Sequence, residues 1–282
     1  YFVVMFIMKL SLEQIKAITL GAVRIEETEQ GIKFFRFTEN QEELYKKRSA
    51  DYYTKSFSTS GIRLSFTTNS KTLTLKTTVS GGSSRNYFAF DLIINSKKTD
   101  TLQNFDEALL PSPYTVATLP LGEFSKTFNL GEGKKQIDLY FPWGVNAVIN
   151  GLSVDDGAIL EPIKPKHKLL CFGDSITHGY DALYPTNKYI TKIANFLEAE
   201  EINKAIGGEV FFPDLAAAKE DFIPDYITVA YGTNDWNRNA ADETEQNCKG
   251  FFENLAKNYP TSKIFVITPI WRKDLNEYRK FG

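Results

Sequence analysis

The stretch Phe172-Gly173-Asp174-Ser175-Ile176-Thr177-His178-Gly179 follows the apolar run Lys168-Leu169-Leu170-Cys171 and precedes an amphipathic segment. A serine between a buried strand and a helix stands at the carboxyl edge of a sheet, where open α/β folds place their sites. Helical N–H groups nearby favour negative charge there. Ser175 is therefore a candidate nucleophile, although Gly-Asp-Ser also makes an ordinary turn and helix cap. Gly173 supplies flexibility to that turn, and Asp174 is expected to hold it through backbone N–H groups rather than act as a catalytic acid.

Working outward, Leu169 to Phe172, Ile202 to Ile206, Tyr226 to Ala230 and Ile264 to Ile267 are short apolar runs ending in Gly, Asn, Asp, Thr or Pro. They read as buried parallel strands. Between them Tyr189, Ile190, Ile193, Phe196 and Leu197 recur at helical spacing, as do Cys248, Phe251, Phe252 and Leu255. Alternating strands and helices predict a doubly wound sheet. Ser175, Gly208 and Asn234 each follow a strand end, so they fall along one edge and can converge on one reacting carbonyl.

Phe172 to Gly179 resembles the first block of the GDSL, or SGNH, hydrolases, whose Gly-Asp-Ser serine attacks an ester or amide carbonyl. Asn203-Lys204-Ala205-Ile206-Gly207-Gly208-Glu209 resembles the second block, and Gly232-Thr233-Asn234-Asp235 the third, in the family's order. The resemblance implies Ser175 as nucleophile, with Gly208 N–H and the Asn234 side chain as oxyanion donors beside Ser175 N–H. Such donors are worth about 3–4 kcal/mol apiece in the barrier. Gly207 and Asp235 are expected to support those turns; tight packing at the glycines and an Asx-turn at Asn234 and Asp235 are the bland alternatives.

The chain departs from this family at the base. Serine needs a base to remove its proton, and the resemblance implies a late Asp-x-x-His block. The chain has two histidines, His167 and His178, and neither stands in such a block. The sequence ends at Lys280-Phe281-Gly282, so the catalytic histidine is expected to be missing, activity to be very low, and an uncovered edge to invite a homodimer. His178 is expected at the site rim or as a helix cap, within reach of substrate, rather than as the base. His167 lies in the Pro- and Lys-rich connection Glu161 to Lys168 and reads as solvated.

The first half has a different rhythm. Ile62, Leu64 and Phe66 alternate with polar positions, as do Leu73, Leu75 and Val79, then Phe88 to Ile94, then Ile137, Leu139 and Phe141. Turn-like stretches at Thr68–Lys71, Asn95–Lys98 and Gly131–Lys134 separate them. The expected fold is an α/β SGNH-hydrolase domain, flavodoxin-like with three layers and a parallel sheet, preceded by an all-β sandwich or jelly roll. With domains of about 150 residues, the 282 residues divide into an extension (1–19), the sandwich (20–158), a linker (159–167) and the hydrolase domain (168–282).

A β-sandwich before an SGNH domain is similar to the two-domain carbohydrate esterases. That likeness implies an acylated saccharide or small-molecule substrate, with Trp143, Trp236 and Trp271 as candidate sugar platforms, Trp236 foremost because it adjoins Asn234. The alternatives are a carbohydrate-binding protein with a degenerate hydrolase domain, and an esterase or thioesterase for non-carbohydrate acyl groups. A net charge of −2 without a basic cluster argues against nucleic acid. No metal-ligand spacing and no phosphate-cradling loop is present, so no cofactor or metal is expected. Cys171 and Cys248 read as core thiols of a reducing compartment, and cytoplasmic residence is favoured. Tyr1 to Met8 is apolar but shorter than a membrane span, so no membrane partner is expected; it reads as a strand or as sequence upstream of Met8.

Overall fold

The computed structural model describes residues 7–111, 114 and 117–271. The chain opens with β1 (Ile7–Lys9), α1 (Leu12–Ile18), β2 (Thr19–Leu20), β3 (Arg24–Thr28) and β4 (Gly31–Phe35). Two helices follow, α2 (Glu39–Arg48) and α3 (Ala50–Ser56). Next come β5 (Arg63–Thr68), β6 (Thr72–Gly81), β7 (Ala89–Ile94), β8 (Lys97–Gln103), β9 (Gly122–Asn129), β10 (Lys135–Tyr140), β11 (Val145–Asp155) and β12 (Glu161–Pro162). The second half holds β13 (His167–Gly173), α4 (Ser175–His178), α5 (Tyr189–Phe196), β14 (Ala199–Asn203), α6 (Pro213–Ala217), β15 (Tyr226–Ala230), α7 (Asp235–Arg238), α8 (Ala241–Asn258) and β16 (Lys263–Val266).

Alternation on the early strands builds two six-stranded antiparallel sheets. One has the order β3-β4-β11-β6-β9 with β1 on β11; the other runs β12-β5-β10-β7-β8 with β2 on β5. Their inward residues, among them Leu73, Leu75 and Val79 facing Leu64, Phe66, Phe90 and Leu139, share one core. Each such side chain contributes about 1.5–3 kcal/mol by leaving water. The three expected turns connect β5 to β6, β7 to β8 and β9 to β10, with Asn95 and Ser96 both at positive φ in the two-residue loop as a primed hairpin turn requires.

The boundaries expected at residues 19 and 158 need correction, the second because β12 at Glu161–Pro162, inside the expected linker, pairs with β5. Tyr1 to Phe6 lie outside the described residues, but Ile7–Lys9 pairs with Ser153–Asp155, so most of the supposed extension is sandwich. Residues 36–56 join neither sheet of the sandwich and pack mainly on the second half, with Arg24 of β3 reaching Glu42 at 3.2 Å. Phe37 and Tyr45 pack in one cluster with Leu170, Phe172, Ile202 and Leu215 of the second half. Arg36, fully buried, sends its guanidinium to the carbonyls of Asn203 (2.7 Å) and Ala205 (3.1 Å).

The second half is a four-stranded parallel sheet of order β14-β13-β15-β16. Side chains alternate across its central strand: Leu170 and Phe172 meet α6 and α8, whereas Leu169 and Cys171 meet Ile190 and Ala194 of α5. Both faces are covered, which explains the continuous apolar run of β13. β14 begins three residues earlier than its apolar pattern suggests, because Glu201 inside it is buried against Lys188 at 2.6 Å. β16 is the edge strand, with Phe265 and Val266 exposed. Among the described residues no helix is long and apolar enough to cross a membrane.

Candidate active site

With β13 central and its sequence neighbours on opposite sides, the chain reverses direction around the carboxyl end of β13, the crevice where such sheets bind ligands. Ser175 starts α4 there, half-buried. Asp174 caps the helix, its Oδ1 accepting from Ile176 N–H at 2.9 Å. Burial lifts the Asp174 carboxyl to about 6. The expected turn-holding role of Asp174 is thus its observed contact.

Backbone pairing continues past the strand ends. Lys204 N–H reaches Cys171 O (2.8 Å) and Ile206 N–H reaches Gly173 O (3.2 Å), which sets the Gly207-Gly208 turn beside Ser175. This turn is held on almost every polar atom. Gly207 N–H donates to His178 Nδ1 (3.0 Å) and Gly207 O accepts from Lys55 Nζ (2.9 Å). Gly208 O accepts from Tyr52 Oη (2.7 Å) and from Arg238 (2.5 Å). Glu209 N–H closes on Ile206 O (3.0 Å), and Glu209 O accepts from Asn234 Nδ2 (2.9 Å). Among the turn's backbone groups the exception is Gly208 N–H, which has no acceptor among the described residues. Its φ of +91° is a left-handed conformation that costs other residues about 1–2 kcal/mol. Gly207 is needed for space: a Cβ there would lie 2.4 Å from the Tyr180 ring.

Asn234 and Asp235 follow β15 at the start of α7. Asp235 is buried and clamps two segments together, accepting from Phe211 N–H (3.0 Å) through Oδ1 and Gly232 N–H (3.1 Å) through Oδ2. The second proton of the Asn234 amide is free to point elsewhere, because an amide nitrogen carries two. Ser175 N–H, in the first turn of its helix, has no helical partner. Ser175 N–H, Gly208 N–H and one Asn234 Nδ2 proton are thus donors with no acceptor among the described residues.

His178 is not where a substrate can touch it, which corrects the expected rim position. It is fully buried. Nδ1 accepts from Gly207 N–H, so the proton sits on Nε2, within 3.0 Å of Trp143 O and 2.7 Å of Ser58 Oγ. Burial, reinforced by Arg36 and Lys188, holds the imidazole well below its ordinary value. With its lone pair engaged it is a brace of the glycine turn. His167 begins β13 beside Asp225, about 20 Å from Ser175 at the usual strand rise. Neither histidine reaches the serine hydroxyl.

Trp143 is also buried, packed edge-on against Tyr87 and beside Tyr180, so it serves the core rather than a sugar face. Trp236 is half-buried on α7 and Trp271 is exposed. The residues missed by sequence reasoning come from the first half: Arg36, Tyr52 and Lys55 all fasten the second block. Arg36 precedes α2, which is announced by the capping box Thr38-x-x-Gln41, and Tyr52 and Lys55 lie on α3, whose only signal is its cap Ser49. A cleft of about 430 Å³ lies against Gly208, lined on this side by Arg48, Tyr52 and Lys55 and on the other by Arg238. No group of three or more His, Cys, Asp or Glu among the described residues is placed to hold a metal ion.

Residues 171–280 match the model of the GDSL-like lipase/acylhydrolase family. Among solved structures, a salicylyl-acyltransferase from a tetracycline biosynthetic pathway is 20% identical over 87% of this chain and 70% of its own, at a TM-score of 0.71. A family two carbohydrate esterase from Cellvibrio japonicus is 16% identical over 95% of this chain and 81% of its own, TM-score 0.62. An acetyl xylan esterase from Butyrivibrio proteoclasticus is 20% identical over 77% of this chain and 74% of its own, TM-score 0.53. No curated protein matches. At these identities the structural likeness is one of fold, and over residues 171–280 the sequence is similar to the GDSL-like lipase/acylhydrolase family.

Proposed function

We propose that this chain acts on carboxylic esters through Ser175, with O-acetylated carbohydrate as substrate, and that Ser175 N–H, Gly208 N–H and Asn234 Nδ2 receive the oxyanion. The observation that carries this reading is the unpaired Gly208 N–H in a turn whose other backbone groups are satisfied. A donor left without a partner in an otherwise saturated loop suits a ligand oxygen that arrives during reaction. Ser175 Oγ would lose its proton to solvent hydroxide and attack the ester carbonyl, the departing alkoxide would take a proton from water, and a further water would then release the acyl group from Ser175 as the carboxylic acid. The carbohydrate part rests on the two esterases of similar fold.

With no imidazole at Ser175, deprotonation is the slow part, and acceleration is that of donors and binding alone, about 10³–10⁴ over water. The same observation favours a second reading, carbohydrate binding without turnover. Acetate release from acetylated xylose and a series of 4-nitrophenyl esters separates them. The hydrolase reading expects weak turnover that is greatest for acetyl and disappears in Ser175→Ala. Equal rates for wild type and Ser175→Ala refute it, and a preference for longer acyl chains removes the carbohydrate acetate from the proposal.

A further inference from the structure

The cleft against Gly208 has a chemistry that the ester reaction does not require. Arg48, Lys55 and Arg238 line it against one lining carboxylate, Asp51. Two of the cations are matched: Arg48 by buried Glu209 at 2.8 Å and Lys55 by Asp51 at 2.5 Å. Arg238 has no such partner among the described residues. Its Nη1 donates to Tyr52 Oη (2.8 Å) and to Gly208 O (2.5 Å). These bonds fix the plane of an exposed guanidinium and leave Nε and Nη2 without an acceptor among the described residues. Val210 is the one wholly apolar side chain in the lining.

We infer that this cleft is a subsite for a carboxylate on the substrate, and that Arg238 is its recognition residue. An immobilised guanidinium with two free donors on one side matches a carboxylate in bidentate fashion. The polar lining suits a hydroxylated group rather than an acyl chain. A volume of about 430 Å³ falls within the range of about 300–1,000 Å³ typical of small-ligand sites. The ligand that combines these features is an acidic sugar, held against the same glycine turn whose Gly208 N–H the ester-hydrolase reading uses. The inference rests on the ester-hydrolase reading for the role of the site, but the subsite itself is a binding property and can be measured without turnover.

Titration calorimetry with methyl glucuronoside and methyl glucoside at low salt tests it. The carboxylate sugar is expected to bind at least about tenfold more tightly, as a charge-assisted pair implies. In Arg238→Gln the two should bind within about twofold of each other, and Arg238→Lys should keep part of the difference because the charge remains. Equal binding of both sugars by the wild type, binding of neither, or a preference that persists in Arg238→Gln overturns the inference. Hydrolysis of 4-nitrophenyl acetate by wild type and Ser175→Ala is measured alongside. Loss of a Ser175 dependence there refutes the hydrolase reading while leaving a carboxylate preference standing, and the converse result refutes the subsite alone.

Discussion

The Gly207-Gly208 turn and the Ser175 hydroxyl sit side by side at the same sheet edge, yet they are supported very differently. The turn is fixed by His178, Lys55, Tyr52, Arg238 and Asn234, three of which come from other elements of the second half and two from α3. Ser175 has an ordered backbone and no imidazole within reach. The difference separates two parts of acyl transfer that are usually built together: charge stabilisation, which needs fixed dipoles, and proton transfer, which needs a group of suitable pKa. In this chain the glycine turn is braced from both halves, and neither of the two histidines lies at Ser175.

The largest expected effect comes from removing the deepest support of the turn. Arg36 makes five hydrogen bonds, to Ser58 O, Asn203 O, Ala205 O, Lys55 O and Ser58 Oγ, all buried. Arg36→Met leaves those acceptors dry and should cost at least about 3 kcal/mol, since each unsatisfied buried group costs about 1–3. Chemical denaturation measures it. A loss under about 1 kcal/mol would mean that the two halves are not coupled through this residue.

Gly207→Ala comes next. A Cβ 2.4 Å from the Tyr180 ring forces a shift worth about 1–3 kcal/mol. Ser175-dependent ester hydrolysis should fall further than stability alone explains, because the shift moves Gly208 N–H. Unchanged turnover in a folded Gly207→Ala protein would break the link between turn and function. Lys55→Met is milder: it strips one donor from Gly207 O and should cost about 1–2 kcal/mol, read from thermal unfolding.

The smallest effect is on pH. His178 is held below its ordinary 6.5 in the folded protein, so below that pH the unfolded chain binds more protons and the histidine's contribution is lost as pH falls. Asp174, raised to about 6, and Glu209, raised to about 7, work in the opposite direction, so the net curve is shallow. The sharper reading is differential. His178→Gln should lose less stability on acidification through about pH 6.5 than the wild type does, and parallel curves for the two would show that His178 does not titrate on unfolding.

What the sequence revealed follows the same division. That Ser175, Gly208 and Asn234 follow strand ends was legible because the apolar runs before them stop at turn-forming residues, and β13 was legible because both its faces are apolar. Helices α2 and α3 were not. Of the three buried residues of α2 only Tyr45 is apolar in part; Gln41, which donates to Glu220 (2.6 Å) and accepts from Lys204 (2.8 Å), and Glu42 are polar, so the docking face leaves no hydrophobic period. β14 was misplaced for the same reason, its buried Glu201 reading as solvent-facing. Phe196 fits the apolar stripe of α5 yet is exposed at the helix end, where one residue's rotation decides its fate.

The most direct test of the central claim is the pH–rate profile of Ser175-dependent 4-nitrophenyl acetate hydrolysis, taken as wild type minus Ser175→Ala. If the oxyanion donors work without a positioned base, the rate should rise with hydroxide from about pH 6 to 9 with no plateau. A plateau governed by an apparent pKa between about 6 and 8, persisting in His178→Gln, would contradict the account, because it would reveal a base already seated at Ser175.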